Sequence, residues 1–128
     1  MIAHQVQGKA LRVLAVDDEP ALCKVVARLL GVEGHTVVVA YSAEDAIASL
    51  VQATFDLIIA DLGLGPASLN GWDLAEHVKR SYPATRFVLA TGWGPQISPA
   101  EARARGVEKV ISKPYKLSEL RDIVLAAQ

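Results

Sequence analysis

Short apolar runs alternate with helical patterns five times along this chain, and this alternation constrains the fold more than any other feature. The runs are rich in valine, isoleucine, leucine and alanine, and cover residues 11–16, 35–41, 55–60, 86–90 and 107–111. Strands of this composition are typical of a parallel sheet that is covered by helices on both faces. The sequence therefore predicts an α/β protein with a five-stranded parallel sheet.

The segments between these runs place apolar residues at helical spacing. Pro20 opens the first helix, which Gly31 or Gly34 can end, and Ser42 is expected to cap the second. Asn70 and Gly71 lead into the third, and the stretch Ser98-Pro99-Ala100-Glu101 is expected to form a capping box for a short fourth. The residues expected to face the core are Leu22, Val25, Val26, Leu29, Leu30, Ala43, Ala46, Ile47, Leu50, Val51, Leu74, Ala75, Val78, Leu117, Leu120 and Val124.

The 128 residues suit one domain, with residues 1–10 interpreted as a tail and residues 11–128 as the folded unit. The net charge of −1 argues against a surface that binds nucleic acid directly. Without a long apolar run or a secretory signal, the expected location is cytoplasmic, with no membrane association. The single cysteine, Cys23, lies in a helical pattern and is interpreted as a buried free thiol.

Polar side chains with reactive chemistry follow four of the predicted strands. Asp17 and Asp18 come after the first strand, Asp61 after the third, Thr91 after the fourth and Lys113 after the fifth. In an open parallel sheet, ligands bind beyond the carboxyl ends of the strands. The sequence therefore predicts that these five side chains meet at one edge.

Three carboxylates in one place repel one another unless a cation joins them, and Mg²⁺ suits a site with oxygen ligands that leaves room for water and phosphate. Lys113 can hold a carboxylate or a phosphoryl oxygen, and the Thr91 hydroxyl can donate to a second phosphoryl oxygen. A carboxylate nucleophile, Mg²⁺ and a lysine together suffice to form an aspartyl phosphate.

These residues resemble the receiver domain of bacterial response regulators, and the resemblance extends from Leu11 to the end of the chain. The matching features are the acidic pair Asp17-Asp18, Asp61 after the third strand, Thr91-Gly92 after the fourth and Lys113-Pro114 after the fifth. The resemblance implies a flavodoxin-like fold with strand order 2-1-3-4-5. It also implies a cis peptide bond between Lys113 and Pro114.

By the same resemblance, Asp61 is the phosphoacceptor. Asp18, Asp61 and the backbone carbonyl of Gly63 would bind Mg²⁺ directly, with Asp17 acting through water and Mn²⁺ able to substitute. Thr91 and Lys113 would hold the phosphoryl group. The resemblance implies a histidine kinase or histidine phosphotransfer protein as donor, homodimer formation on phosphorylation, and no catalysis beyond phosphorylation and dephosphorylation of the domain's own aspartate.

Several features depart from the usual receiver pattern. The loop after Asp61 is about two residues longer, with Gly65-Pro66 where a single proline is common. Val110 stands where an aromatic residue is frequent, so an aromatic rotamer switch is not expected. The stretch Gly92-Trp93-Gly94 resembles receivers of hybrid sensor kinases, and Trp93 is interpreted either as partly buried cover for the sheet edge or as a lid or partner surface. Signalling is then expected to pass through residues 91–99, whereas Trp72 is expected in the core.

Two other functions remain open at this point. A Mg²⁺-dependent phosphohydrolase using an aspartyl phosphate would usually carry a second acid two residues after its nucleophile, where this chain has Gly63. A receiver-like module that binds partners without phosphorylation would not need all five site residues. The sequence leaves open whether the domain is a stand-alone regulator or part of a longer chain.

Overall fold

A computed structural model describes residues 8–64, 69–92, 96–114 and 116–128. Five strands and five helices alternate along this part of the chain. Their bounds are β1 Arg12–Val16, α1 Pro20–Val32, β2 Thr36–Ala40, α2 Ala43–Gln52, β3 Leu57–Asp61, α3 Gly71–Ser81, β4 Arg86–Thr91, α4 Pro99–Ala104, β5 Lys109–Ser112 and α5 Leu117–Ala127.

The five strands form one sheet in the order β2-β1-β3-β4-β5, and all neighbouring pairs are parallel. This is the predicted fold. β1 and β3 lie at the centre of the sheet, and β4 pairs with β3 so that Asp61 lies opposite Ala90. The crossover from β2 to β3 past β1 brings the carboxyl ends of β1 and β3 side by side.

Successive strand residues point to opposite faces, and this alternation builds two separate cores. Leu14 and Val16 contribute to the core that is covered by α2, α3 and α4. Val13 and Ala15 contribute to the core that is covered by α1 and α5. Both faces of the sheet are therefore buried, as the apolar composition of the strands predicts.

The local signals at the helix ends perform as predicted, with one exception. The Ser42 hydroxyl accepts a hydrogen bond from the amide of Asp45, and Asn70 forms a reciprocal capping box with Asp73. Gly34 ends the turn after α1 with φ +96°, a conformation that side chains other than glycine rarely adopt. At α4 the Ser98 hydroxyl accepts from the amide of Glu101 at 3.4 Å, but the return bond of a capping box is absent from the described residues.

Three residues expected in the core are exposed instead. Val51, Val25 and Leu117 retain 75%, 48% and 37% of their accessible surface. Helical spacing predicts which residues lie on the apolar face of a helix. How much of that face the sheet covers depends on the position and orientation of the helix on the sheet. Trp72 is only partly buried, although it packs against the core as expected.

The strand bounds also shift by one or two residues from the predicted ones. Phe55 and Val107 are buried as their apolar character predicts, yet they precede the paired residues of β3 and β5. Burial and strand pairing are separate properties, and only burial is readable from an apolar run.

Several further expectations concern the remaining segments. The peptide bond between Lys113 and Pro114 is cis, and Cys23 is a buried free thiol, both as predicted. No helix in the described part of the chain has both the length and the apolar character needed to cross a bilayer. The expectations about Gly65-Pro66 and about Trp93 and Gly94 lie outside the described residues.

Candidate functional site

The carboxyl edge of the sheet collects the residues that the sequence singles out. Asp17 and Asp18 directly follow β1, Asp61 and Thr91 are the last residues of β3 and β4, and Lys113 directly follows β5. Asp17 and Thr91 are buried, with 7% and 2% of their surface accessible, whereas Asp18 is exposed. The predicted convergence is therefore observed.

Lys113 links two of the carboxylates. Its ammonium nitrogen lies 2.9 Å from Oδ2 of Asp17 and 3.3 Å from Oδ1 of Asp61. All three side chains are largely buried, with 18%, 9% and 13% of the side-chain surface accessible for Lys113, Asp17 and Asp61. Ion pairs that are shielded in this way are screened by salt much less than surface pairs.

The acidic groups stand close enough to share one cation. One carboxylate oxygen from each of Asp17, Asp18 and Asp61 lies within 4.8 Å of the other two. Hard oxygen donors in this number suit Mg²⁺, which keeps several waters and needs few protein carboxylates. The donor set therefore fits a divalent ion.

The charges at this edge perturb one another. Burial raises the pKa of the Asp61 carboxyl above its ordinary value, and the positive charge of Lys113 only partly offsets this. Burial by itself would lower the pKa of Lys113, but its hydrogen bond to Asp17 and the negative charges of Asp61 and Asp17 outweigh that effect, so the pKa of Lys113 is raised. Lys113 thus stays charged while Asp61 is held in an environment that disfavours its own charge.

Backbone hydrogen bonds fix the geometry of the site. The amide of Asp17 donates to the carbonyl of Ala40, and its Oδ1 accepts from the amide of Glu19 at 3.0 Å. The amide of Lys113 donates to the carbonyl of Thr91 at 3.0 Å, which places the two residues at adjacent strand ends. The side chains of Thr91 and Lys113, which could bind an anion, therefore extend from backbone segments that are hydrogen-bonded to each other.

Gly71 lies against the backbone that carries Asp61. The sequence indicated only that Gly71 stands at the start of α3. A Cβ atom there would lie 2.5 Å from the carbonyl oxygen of Asp61 and 2.9 Å from the Cα of Leu62. The N-terminus of α3 therefore approaches the backbone of Asp61 more closely than any other residue type allows. The only sequence signal was the Asn-Gly pair.

Cys23 lies directly beneath the site. Its sulfur is 3.5 Å from the carbonyl oxygen of Asp17, and burial raises the pKa of the thiol. A protonated thiol that donates to this carbonyl is consistent with the predicted structural role.

Comparison with known proteins identifies the family. The model of the response regulator receiver domain matches residues 13–125. The chain belongs to this family. As a receiver domain it is a signalling unit, and the predicted family and fold are both confirmed.

Individual relatives support the assignment. The transcriptional regulatory protein TrcR of Mycobacterium tuberculosis is 31% identical over 117 residues, which cover 91% of this receiver and 45% of TrcR. The nitrogen assimilation regulatory protein NtrX of Azorhizobium caulinodans is 32% identical over 84% of this chain and 24% of its own length. This chain spans about a quarter to a half of these curated relatives.

Solved structures agree with the sequence comparisons. The receiver domain of NtrX from Brucella abortus superimposes with a TM-score of 0.82 at 30% identity, covering 90% of this chain and 96% of that one. The chemotaxis response regulator CheY4 of Vibrio cholerae gives a TM-score of 0.81 at 26% identity over 94% of this chain and the whole of CheY4.

Proposed function

We propose that Asp61 of this receiver domain accepts a phosphoryl group and that the resulting change at the carboxyl edge relays a signal. The observation that carries this proposal is the position of the Asp61 carboxylate, 3.3 Å from the Lys113 ammonium and grouped with Asp17 and Asp18. A nucleophile, a fixed positive charge and a set of metal-binding oxygens thus meet at one point.

In the proposed reaction, an oxygen of Asp61 attacks the phosphorus of a phosphohistidine on a histidine kinase or phosphotransfer protein. A bond forms between that oxygen and phosphorus as the bond between phosphorus and the histidine nitrogen breaks, and the nitrogen keeps the electron pair. Lys113 stabilises the negative charge on one phosphoryl oxygen, and the Thr91 hydroxyl donates to another. Holding these groups in place accounts for most of the catalysis that such a transfer needs.

The metal in this proposal is Mg²⁺, with Mn²⁺ as a substitute. Asp18 and Asp61 would bind it directly together with the carbonyl of Gly63, and Asp17 would contact it through water. When bound, the ion supplies positive charge that draws phosphoryl oxygens in and relieves the repulsion among the carboxylates. Both carboxylate oxygens of Asp17 are already engaged, Oδ2 by the Lys113 ammonium and Oδ1 by the amide of Glu19, and this supports the indirect role for Asp17.

We further infer that the domain acts on no substrate besides its own aspartate. Gly63 lies where a phosphohydrolase would carry its second acid, so water near the phosphoryl group would lack a general base. We likewise infer that this domain does not bind nucleic acid directly. The inference concerns this chain alone, because its relatives TrcR and NtrX are longer regulators.

Phosphorylation with a small acyl phosphate and Mg²⁺ tests the proposal. The intact protein should gain one phosphoryl group by mass spectrometry, and Asp61→Asn should gain none. Asp56→Asn is a matched control, because Asp56 precedes the same strand but lies at the opposite edge of the sheet. Equal labelling of Asp61→Asn would disprove the assignment, and no labelling of the parent protein would favour a module that binds without phosphorylation.

A further inference from the structure

The segment before β1 is attached to several distant parts of the chain. Gly8 approaches the Gln128 side chain so closely that a Cβ atom would lie 2.8 Å from its Cδ, and the Gln128 amide group donates to the carbonyl of Lys9 at 2.8 Å. The Lys9 ammonium lies 3.3 Å from Oδ1 of Asp56. We call residues 8–11 the N-terminal strap, since they join the end of α5 to the start of β3.

A third attachment of the strap is buried and involves a histidine. Leu11 retains 2% of its accessible surface and His35 retains 8%, and the amide of Leu11 donates to Nδ1 of His35 at 2.9 Å. The Leu11 carbonyl accepts from the amide of Thr36, and the amide of His35 donates to the carbonyl of Leu30. The ion pair of Lys9 is exposed by comparison, and exposed ion pairs contribute little to stability. The contact with His35 is therefore the strongest restraint on the strap.

The Leu11 amide determines which nitrogen of the His35 ring carries the proton. A backbone amide always donates, so Nδ1 must offer a lone pair, and the proton of the neutral ring must reside on Nε2. In the described part of the chain, the Leu11 amide has no other acceptor. A second proton on the ring would place an N–H group at Nδ1, opposite the N–H group of Leu11. It would leave a buried donor unpaired, which folded proteins avoid.

The segments that hold the His35 ring offer no unpaired negative charge to such a proton. None of the ion pairs in the described part of the chain includes His35. The charged residues beside it on these segments are Glu33, Lys9 and Arg12, which interact instead with Arg121, Asp56 and the ring of Phe55 respectively. Two of the three are cations, which repel a protonated ring.

We propose that His35 is a proton-sensitive latch, which holds the N-terminal strap while its ring is neutral and releases the strap when the ring gains a proton. Histidine rings in proteins generally change charge between about pH 5 and about pH 8, and the latch acts in this range. The stabilisation is present at the upper end of the range and is lost as the pH falls. The contact between Lys9 and Gln128 is lost with the strap, whereas β1 begins at Arg12 and stays paired with its neighbours.

Nuclear magnetic resonance of the full chain, without metal or phosphodonor, tests the latch independently of the proposed phosphorylation. At about pH 8 the nitrogen shifts of His35 should show the proton on Nε2. Between about pH 8 and about pH 5 the protection of the Leu11 amide against hydrogen exchange should fall several-fold, whereas that of Ile58 in the central strand β3 should stay constant. The side-chain amide signals of Gln128 should shift in parallel with the ring signals of His35.

His35→Asn removes the titration but keeps an acceptor, because the side-chain oxygen of asparagine takes approximately the place of Nδ1. In this variant the protection of the Leu11 amide should match wild type at about pH 8 and should no longer fall toward about pH 5. His35→Phe removes the acceptor and should lower the protection of Leu11 throughout this range. His77→Asn is the matched control, because that histidine packs against Tyr82 at the end of α3, and it should keep the wild-type pH dependence.

Several outcomes would overturn the latch. A proton on Nδ1 at about pH 8 would do so, and so would protection of the Leu11 amide that stays constant as the pH falls. Both results are obtained from the wild-type protein and need no variant. Equal losses of protection in His35→Asn and wild type would assign the effect to another group. Gln128 signals that do not follow the His35 ring would overturn the release of the strap from α5.

Discussion

Asp17 and Asp18 are adjacent in sequence, yet their surroundings differ. Asp17 is buried, accepts from the amide of Glu19 and pairs with Lys113. Asp18 is exposed and is grouped with Asp17 and Asp61 without an ion pair of its own among the described residues. Because its oxygens are not engaged by a cation, Asp18 is the carboxylate best placed to bind a metal directly.

Asp18→Ala should therefore weaken Mg²⁺ binding while the fold survives. Removing one unit charge about 4 Å from a divalent ion costs about 2 kcal/mol even at the dielectric constant of water, so we expect the affinity to fall by roughly tenfold or more. Titration calorimetry measures the change. Glu19→Ala removes the same charge one residue further along and should have a much smaller effect, so equal losses in the two variants would contradict a specific ligand role for Asp18.

At the scale of the element, α3 is placed by its N-terminus. The reciprocal capping bonds between Asn70 and Asp73 fix where the helix begins, and the amide of Gly71 donates to the carbonyl of Leu62. These bonds hold the start of the helix against the end of β3. The position of Asp61 and the position of α3 are thus coupled through the backbone.

Gly71→Ala should disturb both. The added methyl group has backbone atoms of Asp61 and Leu62 within 3 Å, which cannot yield without shifting the strand end, and overpacking of this kind costs about 1–3 kcal/mol. Chemical denaturation should show this loss, and phosphorylation by an acyl phosphate should slow. Gly31→Ala in α1 is the control, because a Cβ there meets nothing within 4 Å. Wild-type stability and labelling in Gly71→Ala would show that the close approach is unimportant.

At the scale of the whole molecule, the two edges of the sheet have opposite characters. The carboxyl edge collects charges that repel one another, whereas the amino edge is joined by hydrogen bonds. Asp56 accepts from the amide of Arg12 at 2.8 Å, and its own carbonyl accepts from the amide of Arg86. One residue thereby connects the starts of β1, β3 and β4.

Stability should depend on the ionisation of Asp56. The hydrogen bond from the amide of Arg12 holds the pKa of the Asp56 carboxyl below its ordinary value of 3.8, even though burial opposes this. A lowered pKa means that the native state favours the carboxylate, so the stabilisation is present above about pH 4 and is lost as the pH falls through the folded-state pKa.

Asp56→Asn should accordingly destabilise the protein at neutral pH by roughly 1 kcal/mol, the usual size for a partly exposed hydrogen bond to a charged group. The difference from wild type should shrink as the pH falls below about 4. Denaturation at a series of pH values measures it, and Asp122→Asn on the exposed surface of α5 should show no such difference. A deficit that stays constant down to the acid limit would contradict this account.

The sequence by itself determined the order and type of all ten elements and the five residues that meet at the carboxyl edge of the sheet. Apolar runs and helical spacing report burial, and residues at the ends of parallel strands must meet at one edge whatever the details of packing. Each of these residues could therefore be predicted from its place at the end of a strand, although the residues lie far apart in the chain. Patterns in short stretches of sequence were sufficient to predict this edge, because the parallel topology brings the strand ends together.

Only the tertiary structure decided which surfaces are covered and how closely backbones approach. The exposure of Val51, the steric need for glycine at Gly71 and the contact of Arg105 with Trp72 each depend on a partner element that is distant in sequence. Such contacts depend on the angle and distance at which elements pack against each other. Sequences with the same apolar pattern can differ in both. The difference between the surroundings of Asp17 and Asp18 has the same origin, because only the fold places Lys113 beside one of them.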